Sequence, residues 1–339
     1  MAKELIEKLV RGHDLTREEA GGLMDSIMSG GLSEARTAAV LVALRAKGET
    51  VDEIAGFVAT MRARAIRVEP GRGGLVDTCG TGGDGARTFN VSTAAAFVAA
   101  GAGVGVAKHG NRAVSSQCGS ADVLEALGVP FVAPERIAEV IDRVGICFMF
   151  APHHHPATKH VAAVRRDLGI RTVFNLLGPM TNPAGVRRQL VGVFDPSLTE
   201  TMARVLQELG SEKVYVVHGG DGTDEVSLCA QTRVSALERG TVRTFTFTPE
   251  SIGMKRTTNG AMAGGSPQDN ARMIRDILGG TRGPRRDAVV LNAAFVIDAA
   301  GACDSLEHGA RLAEDAIDSG RARAVLDALC ATASELSAG

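Results

Sequence analysis

The sequence predicts an α/β protein: a small N-terminal helical domain, then a larger α/β domain with a mostly parallel central sheet. Three observations carry this. Residues 1–66 hold apolar side chains at helical spacing, the pattern changes at Val68-Glu69-Pro70-Gly71, and short β-rich runs then alternate with helical ones.

Each element has a local reason. Thr16 and Glu19 stand at capping-box spacing before a helix whose face is Ala20, Leu23, Met24, Ile27 and Met28. Gly30-Gly31 ends that helix and Gly48 the next, and Thr50 with Glu53 caps a third, with Ile54, Phe57, Val58 and Met61 on one face. Candidate strands are 74–79, 103–107, 146–150, 190–194, 213–218 and 287–291, each short, apolar and bounded by turn residues. The expected division is a helical domain over 1–67 and an α/β domain over 70–154 and 190–339. Residues 155–183 interrupt the alternation with helical sequence and a turn, GPMTNP, and their residues alone assign them to neither domain. The stretch 260–270, GAMAGGSPQDN, reads as a mobile loop.

Composition narrows the class. With 37 basic and 39 acidic side chains among 339 residues, the net charge of −2 gives no field for nucleic acid. Aromatic residues are 4% with no Trp, so base-stacking platforms are scarce. The six cysteines are scattered without a CxxC pair, which reads as reduced thiols rather than disulfides or zinc ligands. MAKELIEKLVRGHDL is charged and lacks an apolar signal core, and the weakly polar stretch 91–107 splits into helix and strand. A cytoplasmic protein with no membrane segment is expected.

Chemistry gathers in two loops. Residues 77–93, DTCGTGGDGARTFNVST, run from a strand end through Gly80, Gly82, Gly83 and Gly85 into a helix start at Ser92. Without Cβ atoms in the way, backbone N–H groups there are able to close on phosphate oxygens, and the helix N-terminus adds partial positive charge. A merely tight turn is the competing reading. No Gly-Lys-Ser/Thr follows, so this is not a P-loop, and the dinucleotide fingerprint is not met in register. Residues 104–120, VGVAKHGNRAVSSQCGS, then place Lys108, His109, Asn111 and Arg112 around Gly110, with Ser115, Ser116 and Ser120 beyond. A solvated basic turn explains the charges but not the neighbouring glycines and serines. Two such loops at the carboxyl ends of strands favour an anionic, phosphorylated ligand.

GTGGDG at 80–85, NVST at 90–93, KHGNRAVSS at 108–116 and GSADVLEALG at 119–128 resemble the anthranilate phosphoribosyltransferase family. So do HHHPATKHVAAVRRDLGIRTVFNLLGPMTNPA at 153–184 and DEVS at 224–227, and the likeness covers nearly the whole chain. The resemblance implies the nucleoside phosphorylase and phosphoribosyltransferase-like fold, with 155–183 joining the helical domain and the active site in the cleft between domains. It implies transfer of the phosphoribosyl group of phosphoribosyl pyrophosphate to the amino group of anthranilate, in tryptophan biosynthesis. A homodimer formed through the helical domains is also implied.

Residue roles follow from the resemblance. Gly80, Gly83, Asp84, Thr88, Asn90, Val91, Ser92, Thr93, Lys108, Ser116 and Ser120 are expected on phosphoribosyl pyrophosphate. Gly80, Asn111, His154 and Arg166 are expected on anthranilate, with Arg166 taking its carboxylate. A helix-surface arginine is the plainer reading of Arg166 from its residues alone. Ser92, Asp224 and Glu225 are expected to hold Mg2+, two ions per subunit, although an exposed acidic pair is the plain alternative. His109 is a candidate acceptor of the amine proton, and His153-His154-His155 reads as a loop by the aromatic pocket rather than a zinc site. Loss of pyrophosphate from an oxocarbenium-like sugar calls for positioning and charge neutralisation, which suits a site of Gly, Ser, Thr, Lys and carboxylates. A pyrimidine nucleoside phosphorylase-like enzyme and a non-catalytic nucleic-acid-binding paralogue are the alternatives; the second should be basic and lack the metal carboxylates.

Overall fold

The computed structural model describes residues 2–113 and 117–337. Four helices open the chain: Ala2–Val10 (α1), Arg17–Met28 (α2), Glu34–Lys47 (α3) and Val51–Arg64 (α4). Thr16 and Thr50 each accept the N–H of the glutamate three residues on, and each glutamate side chain accepts the threonine N–H in return. Glu53 is fully buried and also accepts the Leu15 N–H and the Lys47 ammonium, tying the start of α4 to the loop before α2. The apolar faces of α2 and α4 pack together through Leu23, Ile27, Phe57 and Met61.

The strands are Val76–Gly80 (β1), Val106–Gly110 (β2), Ile146–Phe150 (β3), Arg188–Gly192 (β4), Lys213–Gly219 (β5), Thr232–Glu238 (β6) and Thr241–Phe247 (β7). They form one sheet in the order β3-β2-β1-β4-β5-β6-β7, parallel from β3 through β5 and antiparallel at β6 and β7. Helix Val91–Gly101 (α5) connects β1 to β2. Alternate strand residues feed opposite cores: Leu190, Tyr215 and Val217 face the layer built on α5 and Pro284–Ala299, while Val191, Val214 and Val216 face the layer shared with α2–α4.

The expected strand 287–291 is corrected. It is the first half of helix Pro284–Ala299, which begins with proline in its first turn and is buried along nearly its whole length. A helix apolar on all sides shows no 3.6-residue alternation, so AVVL read as a strand. The hairpin β6–β7 escaped detection because its turn, Arg239-Gly240, lacks the Asn-Gly or Asp-Gly signature while still taking positive φ at both residues (50° and 72°). β2 begins three residues later than expected, because its polar end Lys108-His109 is buried rather than looped out.

Residues 155–183 hold the short helices Pro156–Thr158 and Phe174–Leu177 and the longer Lys159–Leu168. Lys159–Leu168 lies against α2 and α3, and Val161, Val164, Val173 and Phe174 enter the core shared with α2–α4. The stretch expected as a mobile loop is docked: Met262 is buried, and the Phe89 N–H donates to its carbonyl at 3.0 Å. No helix among the described residues is long and apolar enough to cross a membrane.

Candidate active site

The chain order of the strands reverses between β1 and β4, so their carboxyl ends flank a crevice at the switch point of the sheet. Gly80 and Gly192 end those strands and pair in register. Asp224, from the loop after β5, lies directly over both glycines. A Cβ on Gly80 would strike its carboxylate, and one on Gly192 would strike its backbone. Gly80 is thus needed to seat Asp224, a role the sequence did not reveal.

Three carboxylates meet here. The Asp224 carboxylate accepts the Gly82 N–H at 2.8 Å, and the Asp224 N–H donates to Asp84 at 3.3 Å. Glu225 accepts the Ser92 N–H at 3.0 Å, at the first turn of α5, where the helix dipole favours negative charge. Loss of hydration raises the Asp224 pKa, with Asp84 repelling it further, and the same loss of hydration with Asp224 nearby raises that of Glu225. Buried carboxylates gathered this closely fit a divalent cation, which would keep both groups ionised. Although Asp84, Asp224 and Glu225 are neighbours, among the described residues no three His, Cys, Asp or Glu side chains are grouped so as to hold a metal ion by themselves. Magnesium matches this arrangement because it takes one or two carboxylates and completes its shell with waters and substrate phosphates.

The cationic wall faces these acids. Lys108 is buried on β2; its ammonium donates to the Thr78 carbonyl and lies 3.4 Å from the Ser92 hydroxyl. Gly82, Gly83 and Gly85 have φ of 64°, 73° and 74°, a backbone that glycine adopts without strain. Thr88 bridges to Ala263, the Val91 N–H is turned back onto the Phe89 carbonyl, and the buried Thr93 hydroxyl has no partner among the described residues. Ser120 starts a short helix and donates to the Asn111 carbonyl across Gly110. Ser116 lies outside the described residues.

Several of the expected contact residues already have partners within the protein. Asn90 has its side chain engaged, donating to the Cys118 carbonyl at 3.1 Å and accepting from Asn270 at 2.9 Å, so it joins the two ligand loops to helix Pro267–Leu278. Arg112 is committed to Asp122 and Glu125 and lies over Phe131 and Phe150, which removes it from the cations facing the acids. Asn111 is exposed at the end of β2, its amide oxygen holding the Arg112 N–H.

On the aromatic side, Arg166 is 79% exposed and lies 3.9 Å from Asp167, whereas Arg165 is half-buried with its guanidinium 5.3 Å above the Phe174 ring. Helical phase explains the difference: Arg165 follows Val161 by four residues and so shares its buried face. His154 is fully buried with Nδ1 on the Ile66 carbonyl, while His155 packs edge-on against His109 at 5.2 Å. His109 places Nδ1 on the Gly178 carbonyl at 3.2 Å, and its Nε2 has no partner among the described residues. Burial, with His155 and His154 nearby, pushes its pKa down to about 3, so the ring stays neutral and is a poor acceptor of a full proton.

Sequence reasoning missed three buried supports. Asp77 holds the His109 N–H and the Asn182 amide, and Asn182 also reaches the Ala107 carbonyl, which locks β1, β2 and GPMTNP together. Asn292, inside the helix mistaken for a strand, accepts from the Val226 N–H at 3.0 Å and donates to its carbonyl at 2.9 Å, clamping the DEVS loop. Asn270 was visible as SPQDN at a helix start, but nothing local linked it to Asn90. Asn292 interrupts an apolar run, and a polar residue there is the one signal that marked it; Asn182 lies in the turn GPMTNP, where an asparagine draws no notice.

The family model described as "Glycosyl transferase family, a/b domain" matches residues 72–323, and the "helical bundle domain" of the same family matches residues 3–65. The chain is 56% identical to anthranilate phosphoribosyltransferase of Moorella thermoacetica, over 98% of each chain. Its structure superposes on that of anthranilate phosphoribosyltransferase from Thermus thermophilus with a TM-score of 0.92 and 45% identity, covering 97% of this chain and 99% of the other. The enzyme of Saccharomyces cerevisiae in complex with PRPP and Mg gives a TM-score of 0.91 at 28% identity, covering 99% and 98%.

Proposed function

We infer that this chain, which belongs to the anthranilate phosphoribosyltransferase family, transfers the phosphoribosyl group of phosphoribosyl pyrophosphate to the amino group of anthranilate and releases pyrophosphate. The observation that carries the reading is the set Asp84, Asp224 and Glu225 facing Lys108, Ser92 and an open glycine loop at the sheet's switch point.

The N–H groups of the loop around Gly83 and Asp84, with the Lys108 ammonium, receive the anionic oxygens; each charge-assisted bond contributes about 1.5–3 kcal/mol. Ser92, Asp224 and Glu225 would hold magnesium, which neutralises charge on the departing pyrophosphate. Thr88, Thr93, Ser116 and Ser120 complete the phosphoribosyl subsite, and Asn90 acts by joining its loops. Arg165 replaces Arg166 as partner for the anthranilate carboxylate: it is the arginine on the buried face, and among the described residues no acidic side chain pairs with it. Asn111 and His155 flank the amine, and His109 supplies a neutral lone pair that accepts a hydrogen bond. Catalysis is then mainly orientation and electrostatics, with the proton leaving after the C–O bond breaks.

The division into a helical unit of 1–67 with 155–183, and an α/β unit of 70–154 with 190–339, follows the same reading. Val10 and Val42, exposed on α1 and α3, which pack together, support a homodimer through the helical domains. Two magnesium ions per subunit, tryptophan biosynthesis and a cytoplasmic location belong to the proposal; six free cysteines match a reducing compartment.

The test is the loss of anthranilate fluorescence on adding phosphoribosyl pyrophosphate and magnesium. Consumption that needs both supports the assignment. Phosphorolysis of a pyrimidine nucleoside without anthranilate consumption overturns it.

A further inference from the structure

Arg171 crosses from one wall of the cleft to the other. It lies in the exposed turn between helices Lys159–Leu168 and Phe174–Leu177, and Val173 and Phe174 anchor that turn in the core shared with α2–α4. Its guanidinium donates to the Gly83 carbonyl in the glycine loop. The same guanidinium is stacked 4.2 Å from the centre of the Phe194 ring, and the Phe194 N–H donates to the Thr81 hydroxyl at 3.1 Å. One planar cation is therefore held by a ring below and a carbonyl at its edge, an arrangement suited to Arg and not to Lys.

Those contacts act on one peptide unit. Gly82 and Gly83 both have positive φ, and glycine visits either sign of φ readily, so the glycines themselves leave the Gly83–Asp84 peptide loosely set, while the Asp84 carboxylate beyond it is held by the Ala86 and Asp224 N–H groups. The C=O and N–H of a planar trans peptide point in opposite directions. Holding the Gly83 carbonyl on Arg171 therefore turns the Asp84 N–H away from Arg171, and among the described residues that N–H has no partner.

We propose that Arg171 is a positioning residue for the pyrophosphate subsite: it sets the Gly83–Asp84 peptide so that its N–H is free for an anionic oxygen, and it fixes the glycine loop to the 155–183 segment. This rests on the assignment of phosphoribosyl pyrophosphate to the glycine loop.

The test compares Arg171→Met, Arg171→Lys and Phe194→Leu with the wild-type chain. Calorimetric binding of phosphoribosyl pyrophosphate with magnesium, KM for each substrate, kcat and ligand-free Tm are measured. Arg171→Met is expected to weaken phosphoribosyl pyrophosphate about tenfold, with the anthranilate KM within about twofold and Tm within about 2 °C. Phe194→Leu keeps the charge but removes the stack, and is expected to weaken the same substrate by about threefold, with Arg171→Lys between the two. Unchanged affinity in Arg171→Met overturns the proposal. So does a neutral Phe194→Leu beside a weakened Arg171→Met, which makes the guanidinium a direct ligand instead. Should Arg171→Met fail to fold, the other two variants still decide. Wild-type protein that does not bind phosphoribosyl pyrophosphate contradicts the underlying assignment, a result separate from either.

Discussion

Arg165 and Arg166 are adjacent in sequence and opposite in surroundings, so they separate a substrate contact from a surface charge. Arg165→Ala is expected to raise the anthranilate KM about tenfold or more, equivalent to roughly 1.4 kcal/mol, and to leave phosphoribosyl pyrophosphate nearly unaffected. Arg166→Ala should change either KM by less than about twofold, since an exposed guanidinium loosely paired with its neighbour contributes little. Steady-state kinetics with each substrate varied decides, and the reverse ranking would restore the sequence reading. Asp224 and Glu225 give a pH prediction. Their folded pKa values are raised, so the stability they contribute is fully present below the usual carboxylate range and is lost as pH climbs through the raised values. Asp224→Asn with Glu225→Gln should therefore raise the metal-free Tm at pH 8 by about 2 °C or more relative to wild type, with the gain vanishing near pH 4. Thermal unfolding across pH measures it; equal Tm values at pH 8 would mean that the carboxylates are not strained by one another.

Loops and helices hold these residues by close approach. Gly192→Ala brings a Cβ into the Asp224 backbone, which has no flexible tip to move aside, and should lower stability by about 1–3 kcal/mol while weakening magnesium dependence. Gly80→Ala meets a carboxylate instead and should cost less stability but as much activity. Denaturant unfolding with a magnesium titration separates the two; equal and full activity in both would show that Asp224 does not need its seat. Asn292→Ala leaves the Val226 N–H and carbonyl unpaired in the core, which should cost about 1–3 kcal/mol and loosen the DEVS loop. Unchanged stability and magnesium affinity would dismiss the clamp. At this scale the sequence was informative wherever local chemistry decides. Thr16, Thr50 and the glycine loop all carry their signals within a few residues. It misread Pro284–Ala299, where burial on every side erased the period, and it missed β6–β7, whose turn uses Arg-Gly.

Across the molecule, the segment 178–183 acts as the joint. The carbonyls of Gly178, Pro179, Met180, Thr181 and Pro183 accept from His109, Gln189, Arg62, His155 and Val68, so β2, β4, α4, the end of the short helix Ala151–His154 and the linker after α4 converge on one turn. Sequence spacing cannot show this, because the partners lie far apart in the chain. The family motifs led to loops that the fold brings to one crevice, whereas the choice between Arg165 and Arg166, and between His154 and His155, depends on helical phase and burial, which neighbouring sequence does not show. The proposed homodimer predicts a solution mass twice that of the chain, with Val10→Glu/Val42→Glu shifting it toward monomer; a wild-type monomer would move the apolar pair back to ordinary surface. The central claim is that an acidic pair at the switch point serves magnesium and pyrophosphate. Anthranilate consumption by wild type and by Asp224→Asn/Glu225→Gln, with and without magnesium, tests it most directly. Wild type should turn over only with magnesium, and the folded double variant should lose about 100-fold or more of that rate while still binding anthranilate. A double variant with wild-type turnover and the same magnesium dependence would contradict the account.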